Sequence, residues 1–206
     1  MFIHDPTPTA EIERLEAVYG PLADAVRELV DATIRTTAEE SVDDALAQVR
    51  RATLLLQREQ LPGPAGVRYN SEGRSWNWGN AVIGIRNAVA PPMRPVHESG
   101  IVWAEVDLGA AYEGPPGLVH GGVTALLLDH LMGETASAHT RTTFTGTLTI
   151  RYRRGTPLGP IRLEGRISGE EGRKVFVAAT VQDAEGVTVE ADGIFVVPSW
   201  AVPPAE

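Results

Sequence analysis

The chain has 206 residues, 43% of them hydrophobic, and a formal net charge of -9. That size suits one ordinary domain with an extension, and the acidic balance argues against a general nucleic-acid-binding or anionic-membrane-binding surface. The sequence contains no cysteine, which excludes disulfides, thiolate metal sites and a cysteine nucleophile.

Residues 1–60 have the pattern of a helical N-terminal extension. Apolar residues recur at helical spacing over 12–19 and again over 22–34, and Gly20-Pro21 between them predicts a break. Ser41 is placed to cap a third helix. We expect these helices to form an arm that packs on the main domain or on a partner subunit.

Residues 61–79 are rich in Gly, Pro, Ser and Asn, which predicts a linker or surface loop anchored by Trp76 and Trp78. Strand patterns dominate residues 80–198, and a tail follows over 199–206. The predicted strands cover 81–87, 101–108, 144–154, 161–167, 174–183 and 187–197.

One convincing helix interrupts these strands, over 121–139. Apolar and small residues occupy nearly every side of it, and a helix that is apolar all round is buried. The order β-β-α-β-β-β-β then predicts an α+β fold in which a curved antiparallel sheet wraps around a long central helix.

The start of this helix carries the first chemical signal, His120-Gly121-Gly122. Two adjacent glycines allow a tight turn and a close approach by a ligand. The first N–H groups of a helix lack internal partners, and the helix dipole adds positive potential there, which suits a developing oxyanion. We expect the Gly122 N–H to be the main donor; an ordinary glycine turn into a helix is the alternative.

Asp129 is the second signal, because it lies between Leu128 and His130 on the predicted buried helix. A lone buried carboxylate is costly unless it is paired or neutralised, which makes Asp129 a candidate general base or nucleophile. The alternative is a structural aspartate bonded to a strand backbone or an arginine.

The spacing of these two signals predicts an assembly. Gly122 and Asp129 share a helix face but lie ~10 Å apart along its axis, so one reacting carbonyl cannot contact both within one chain. If two helices run antiparallel about a two-fold axis, Gly122 of one chain approaches Asp129 of the other. The sequence therefore predicts a homodimer with two composite sites, and whether dimers pair into tetramers stays open.

Two stretches resemble a known family: EGPPGLVHGGVTALLLDHLMG and TGTLTIRYRRGTPLG. They are similar to the signature of PaaI-like acyl-CoA thioesterases of the hotdog superfamily, over roughly residues 80–197. The resemblance implies a hotdog fold and hydrolysis of acyl-CoA to a free acid and CoA, with no cofactor because CoA is part of the substrate. It implies that Asp129 is catalytic, that His120 and Gly122 polarise the carbonyl, and that Thr145 assists near the attacking water.

One position departs from the pattern. Another branch of the family has an asparagine six residues before the histidine, where this chain has Gly114. The role of positioning water must then fall to Thr145 or His120, or be absent.

Other candidate residues carry weaker signals. Arg151, Arg153 and Arg154 could bind the phosphates of CoA, with a solvated strand face as the alternative. No metal is predicted, because His120, Asp129, His130 and His139 lack the spacing of ligands, and no GxSxG elbow supports a serine triad. Three aromatic residues are expected in the core or at an interface: Trp103, Tyr112 and Phe144.

The sequence and the resemblance together predict an acyl-CoA thioesterase. We expect it to be cytoplasmic, because no segment has the pattern of a signal peptide or the length of a membrane-spanning helix. The near absence of lysine, which occurs only as Lys174, is typical of GC-rich bacterial genomes. The alternative is a non-catalytic acyl-CoA-binding or regulatory protein with the same pocket. A hydratase is disfavoured, because no Asp-x-Asn-x-x-His stretch occurs.

Overall fold

The computed structural model describes residues 2–91, 93–138 and 142–201. The chain divides into two compact units, Met1–Ala90 and Pro91–Glu206. The predicted domain started at residue 80, so the division falls eleven residues later than the sequence patterns indicated.

The first unit contains helices α1 (Thr9–Arg35) and α2 (Val42–Leu56). The predicted break at Gly20-Pro21 is wrong, because α1 runs through both residues without interruption. Proline removes one backbone hydrogen bond inside a helix. Ile12 and Ala23, which lie on either side of Pro21, are both buried, so packing stabilises the helix before and after the proline.

Helix α2 begins where the sequence predicted, with Ser41 at the N-cap position after a short 3-10 turn over Glu39–Ser41. The Ser41 side chain makes no capping hydrogen bond. No residue of α2 is buried.

The first unit also contains a small sheet, formed by β1 (Phe2–His4), β2 (Val67–Tyr69) and β3 (Ser75–Trp76). Strands β1 and β2 are parallel, and β2 and β3 are antiparallel. The predicted linker over 61–79 therefore includes two strands. Trp76 is buried as expected of an anchor.

The strand predicted over residues 81–87 is wrong, because this segment forms consecutive turns. The Asn80 side chain accepts hydrogen bonds from the N–H groups of Val82 and Ile83, at 2.8 and 3.0 Å, and its carbonyl accepts one from Gly84 at 3.1 Å. Asparagine side chains that bind nearby backbone in this way offer the chain a turn in place of a strand ladder.

The second unit contains helix α3 (Gly121–Ser137) and six strands in one sheet of order β4-β5-β7-β8-β9-β6. All neighbouring strands pair antiparallel. The strands are β4 (Val96–Glu98), β5 (Ile101–Leu108), β6 (Phe144–Tyr152), β7 (Gly159–Glu171), β8 (Lys174–Asp183) and β9 (Gly186–Val196). The second unit has the predicted order β-β-α-β-β-β-β, but its first strand is β4 and not the strand predicted over 81–87.

Helix α3 packs against the inner face of this sheet. Leu127, Leu128, Leu131 and Met132 are fully buried. Helix α3 approaches β7 closely because β7 has a glycine, Gly165, beneath the helix. A Cβ atom at Gly165 would lie 2.6 Å from Thr135 Oγ1. The predicted helix end at His139 lies outside the described residues.

Within the described residues, no helix has both the length and the apolar character needed to cross a bilayer.

Candidate active site

The candidate site is built on α3 and on β6, an edge strand of the sheet. Thr145 Oγ1 donates a hydrogen bond to Asp129 Oδ1 at 2.8 Å. At the other end of the strand, the Tyr152 hydroxyl donates to the Gly121 carbonyl at 2.8 Å. One strand therefore contacts both parts of α3 that the sequence singled out.

A β-bulge at Gly146 aims Thr145 at the helix. Thr145 pairs with Phe195 and Thr147 pairs with Ile194, so Gly146 is an extra residue in β6. Phe195 is fully buried on the helix side of the sheet, and paired residues share a face. Strict alternation from Thr147 would have turned Thr145 away from α3; the bulge reverses its direction, as bulges beside functional sites often do.

The loop before α3 fixes the helix start. The His120 N–H donates to the Tyr112 carbonyl at 2.9 Å, and the Val119 N–H donates to the Thr156 carbonyl at 2.8 Å. At Gly114 a Cβ atom would lie 2.7 Å from the Cα of His120. The asparagine of the other family branch therefore cannot replace Gly114 on this backbone.

The donor predicted at Gly122 is already engaged. His120 is the N-cap of α3, and its Nδ1 accepts the Gly122 N–H at 2.9 Å. An imidazole nitrogen that accepts is unprotonated, so the ring carries its proton on Nε2. Within the part of the chain that the structure describes, the Gly121 N–H has no acceptor.

Asp129 is less buried than the sequence predicted. It is half-buried in this chain, because it lies on the flank of α3 beside the edge strand rather than under the centre of the sheet. Its partner is a threonine hydroxyl and not the strand backbone or arginine considered as alternatives. Among the described residues Asp129 Oδ2 has no hydrogen-bond donor, which leaves that oxygen open to a ligand or water.

His130, the next residue, is on the covered side of α3. Its Nε2 is buried with no hydrogen-bond partner in the described regions, and Glu134 Oε1 lies 3.6 Å away. Burial lowers the pKa of His130, while the negative charges of Glu134 and Asp129 oppose that change. His97 on β4 lies 3.6 Å from the same Glu134 carboxylate.

The described residues contain no cluster of three His, Asp or Glu side chains that could hold a metal ion. His139, one of the metal candidates weighed from the sequence, lies outside the described residues.

The three arginines predicted to bind CoA are all ion-paired. Arg151 pairs with Asp192 at 2.6 Å and Arg153 with Glu190 at 2.7 Å, both across the outward face between β6 and β9. Arg154 pairs with Asp183, which holds the pKa of that carboxyl at about 2. Their role in binding phosphate stays a prediction, and it would require each guanidinium to exchange its carboxylate partner.

The aromatic residues expected in the core or at an interface differ in exposure. Trp103 is half-buried, with the Arg162 guanidinium 4.3 Å from its ring centre. Tyr112 is also half-buried, whereas Phe144 is 55% exposed at the start of β6. Phe144 therefore does not belong to the core of this chain, and its place at an interface stays a prediction.

Comparisons with a sequence profile and with solved structures point to the same family. The sequence profile described as Thioesterase superfamily matches residues 116–190, which contain His120, Asp129 and Thr145. A crystal structure described as that of a thioesterase superfamily protein is 31% identical and has a TM-score of 0.78. The match covers 94% of this chain and 94% of that chain.

Curated relatives match only part of the sequence. Acyl-coenzyme A thioesterase THEM4 of Xenopus laevis is 33% identical over 91 residues, which are 43% of this chain and 41% of that protein. Acyl-coenzyme A thioesterase THEM5 of Mus musculus is 30% identical over 90 residues, or 42% of this chain and 36% of that protein. The chain thus spans about two fifths of the length of the curated relatives it matches.

The near-complete match to a solved relative, the antiparallel sheet packed on one helix, and the profile match agree with one another. They confirm the predicted hotdog fold, and the chain belongs to the thioesterase superfamily.

Proposed function

We propose that the protein hydrolyses acyl-CoA thioesters to a free acid and CoA. The observation that carries the proposal is the hydrogen bond between Thr145 and Asp129 on the helix that begins at His120-Gly121-Gly122. The match to two curated acyl-coenzyme A thioesterases supports the substrate class.

Asp129 supplies the reactive carboxylate. As a general base, its free Oδ2 takes a proton from water while the water oxygen attacks the thioester carbonyl; the C–S bond then breaks and the thiolate of CoA takes up a proton. As a nucleophile, the same oxygen attacks the carbonyl and displaces the thiolate of CoA, which takes up a proton. Water then hydrolyses the resulting anhydride to the free acid and restores the carboxylate. In both cases Thr145 holds Oδ1 and so fixes the direction of Oδ2.

The helix start stabilises the charge that develops on the carbonyl oxygen. The Gly121 N–H and the Nε2–H of His120 are the donors not engaged within the described residues, and the helix dipole adds to both. The Gly122 N–H joins them only if the imidazole turns away from it.

The complete site is shared between two chains in this proposal. Asp129 lies seven residues beyond Gly122, or ~10 Å along α3, too far for one carbonyl to contact both. An antiparallel pair of α3 helices brings the helix start of one copy to Asp129 of the other. We also propose that the protein is PaaI-like, that it is a homodimer, and that its arginines bind the phosphates of CoA.

The test is release of CoA from a panel of acyl-CoAs by the wild type and the isosteric variant Asp129→Asn. We expect kcat to fall by about 10²–10⁴, the range that general-base catalysis contributes. Asp107→Asn is a matched control, because Asp107 is an exposed carboxylate on β5; it should keep full activity. Thr145→Ser should retain most of the rate, and Thr145→Val should lose it, since only serine keeps the hydroxyl.

Three outcomes separate the possibilities. Loss of turnover in Asp129→Asn with normal activity in Asp107→Asn supports the proposal. An Asp129→Asn variant that hydrolyses its best substrate as fast as the wild type contradicts the mechanism. Binding of acyl-CoA by calorimetry without turnover in the wild type would favour the non-catalytic binding protein instead.

A further inference from the structure

Helix α2 carries an apolar surface that no other element of the first unit covers. Every residue of α2 is exposed, including Val42 at 50%, Leu46 at 43% and Val49 at 39%. Within the first unit its main contact is with the short turn over Glu39–Ser41, which directly precedes it. An isolated helix of 15 residues is marginally stable in water, so α2 needs a surface to pack on.

The spacing along α2 indicates what that surface is. Val42, Leu46, Val49, Thr53 and Leu56 follow one another at steps of 4, 3, 4 and 3 residues. This is the seam spacing of two helices that pack side by side, with the seam residues of one helix set between those of the other. A seam of this width is suited to a partner helix rather than to a sheet or a small ligand.

The charges beside the seam complement each other within a single helix. Asp43 and Asp44 lie near the start of α2, and Arg50 and Arg51 lie near its middle. The structure gives none of these four side chains an ion-pair partner among the described residues. Asp43 and Arg50 lie beside the seam, whereas Asp44 and Arg51 lie on the opposite side of the helix. If two α2 helices pack antiparallel with Leu46 facing Val49, Asp43 of each helix lies near Arg50 of the other.

We propose that α2 docks on α2 of a second copy of this chain, antiparallel and in this register. Acid then meets base at both ends of the pair, which is the self-complementarity that a two-fold interface requires. A parallel arrangement would place Arg50 beside Ala45 of the other helix and would form no such ion pair. The proposal does not rest on the thioesterase activity.

Because the chain has no cysteine, introduced cysteines give a specific test. A full-length chain with Leu46→Cys is mixed with a tagged chain carrying Val49→Cys, and the mixture is mildly oxidised. We expect efficient disulfide cross-linking between the two chains. Gln48→Cys is the matched control; Gln48 lies outside the seam on the same helix, so it should cross-link poorly with either chain.

Charge reversal tests the register in the same assay. Adding Asp43→Arg to both chains should cut the cross-linking rate roughly fivefold, the effect of two weak surface pairs. The same loss is expected when Arg50→Asp is added to both chains. Putting the first change in one chain and the second change in the other should restore the rate, because opposite charges again face each other.

These outcomes decide the proposal. Cross-linking at the seam with rescue in the mixed pair supports it. Cross-linking that is no faster at Leu46 and Val49 than at Gln48 overturns it and leaves another protein or another part of the chain as the occupant. Cross-linking that ignores the charge changes overturns the antiparallel register. Circular dichroism of each variant confirms that α2 is still helical, and no outcome depends on enzymatic activity.

Discussion

Helices α3 and α2 are close in length, 17 and 15 residues, but they differ in what stabilises them. Seven residues of α3 are buried, whereas none of α2 is. The sequence of α3 is apolar on almost every side, while α2 has one apolar stripe and charged flanks. Helix α3 is therefore stabilised by packing against the sheet of its own unit, whereas α2 buries no residue against the rest of its unit.

That difference also decides where chemistry can be placed. Reacting groups must be held within a fraction of an ångström, and rigid elements do so better than exposed ones. Helix α3 offers this: its start is fixed by the preceding loop, and its flank is fixed by Thr145 and Tyr152 of β6. Helix α2 offers an interaction surface instead.

The largest expected effect contrasts one leucine from each helix. Leu131→Ala in α3 should lower the free energy of unfolding by about 2–5 kcal/mol, because Leu131 is completely buried and the change leaves a cavity. Leu46→Ala in α2 should change it by less than about 0.5 kcal/mol in the single chain, because Leu46 is exposed there. Urea unfolding of both variants measures the difference.

Repeating the measurement at rising protein concentration sharpens the comparison. Only the cost of Leu46→Ala should grow with concentration, as association covers α2. A cost for Leu46→Ala that equals that for Leu131→Ala in dilute protein would show that the chain itself buries α2.

A smaller effect is expected at the N-cap of α3, where His120 has two separable roles. His120→Ala removes the acceptor of the Gly122 N–H and should cost about 1 kcal/mol of stability. His120→Asn supplies another capping oxygen and should restore stability. If the Nε2–H also binds the thioester carbonyl, the kcat of both variants should be lower than that of the wild type by a factor of up to ~10².

Thermal unfolding and CoA-release assays on the two variants make this comparison. Recovery of both stability and kcat in His120→Asn would mean that the histidine is a cap alone. Recovery of stability without kcat is the result we expect from the proposed function.

The fold was largely predictable from local patterns. Alternation located the strands from β5 onward, and uniform apolarity located α3, because both depend on which side of an element faces the core. The errors came where a local signal competed with packing. Pro21 does not break α1, and the apolar letters of 81–87 do not form a strand because the Asn80 side chain satisfies the backbone as a turn.

The site was predictable only in its parts. The cost of a buried carboxylate singled out Asp129, and the glycine pair singled out the helix start, while Thr145 came from resemblance alone. The sequence could not show that Gly146 forms a bulge or that Tyr152 binds the Gly121 carbonyl, because both depend on the register between β6 and its neighbours. The alternation did place Tyr152 on the same face as Leu148 and Ile150, which was the available signal.

The smallest predicted effect concerns His130, a largely covered histidine of α3 that the proposed chemistry does not use. Burial lowers its pKa below the usual value of about 6.5 for histidine, although Glu134 and Asp129 on α3 oppose this and His97 on β4 shares the Glu134 carboxylate. The unfolded chain therefore binds a proton more readily, and the folded state loses stability as pH falls through about 6.5. His130→Asn should lose less free energy of unfolding than the wild type between about pH 7.5 and 5, as measured by urea unfolding.

His4→Asn, a change at an exposed histidine of the first unit, should follow the wild type. If the free energy of unfolding falls equally with pH in the wild type and in His130→Asn, the His130 side chain must become accessible to water before it is protonated. This part of α3 would then be less well covered than the part that carries its buried leucines.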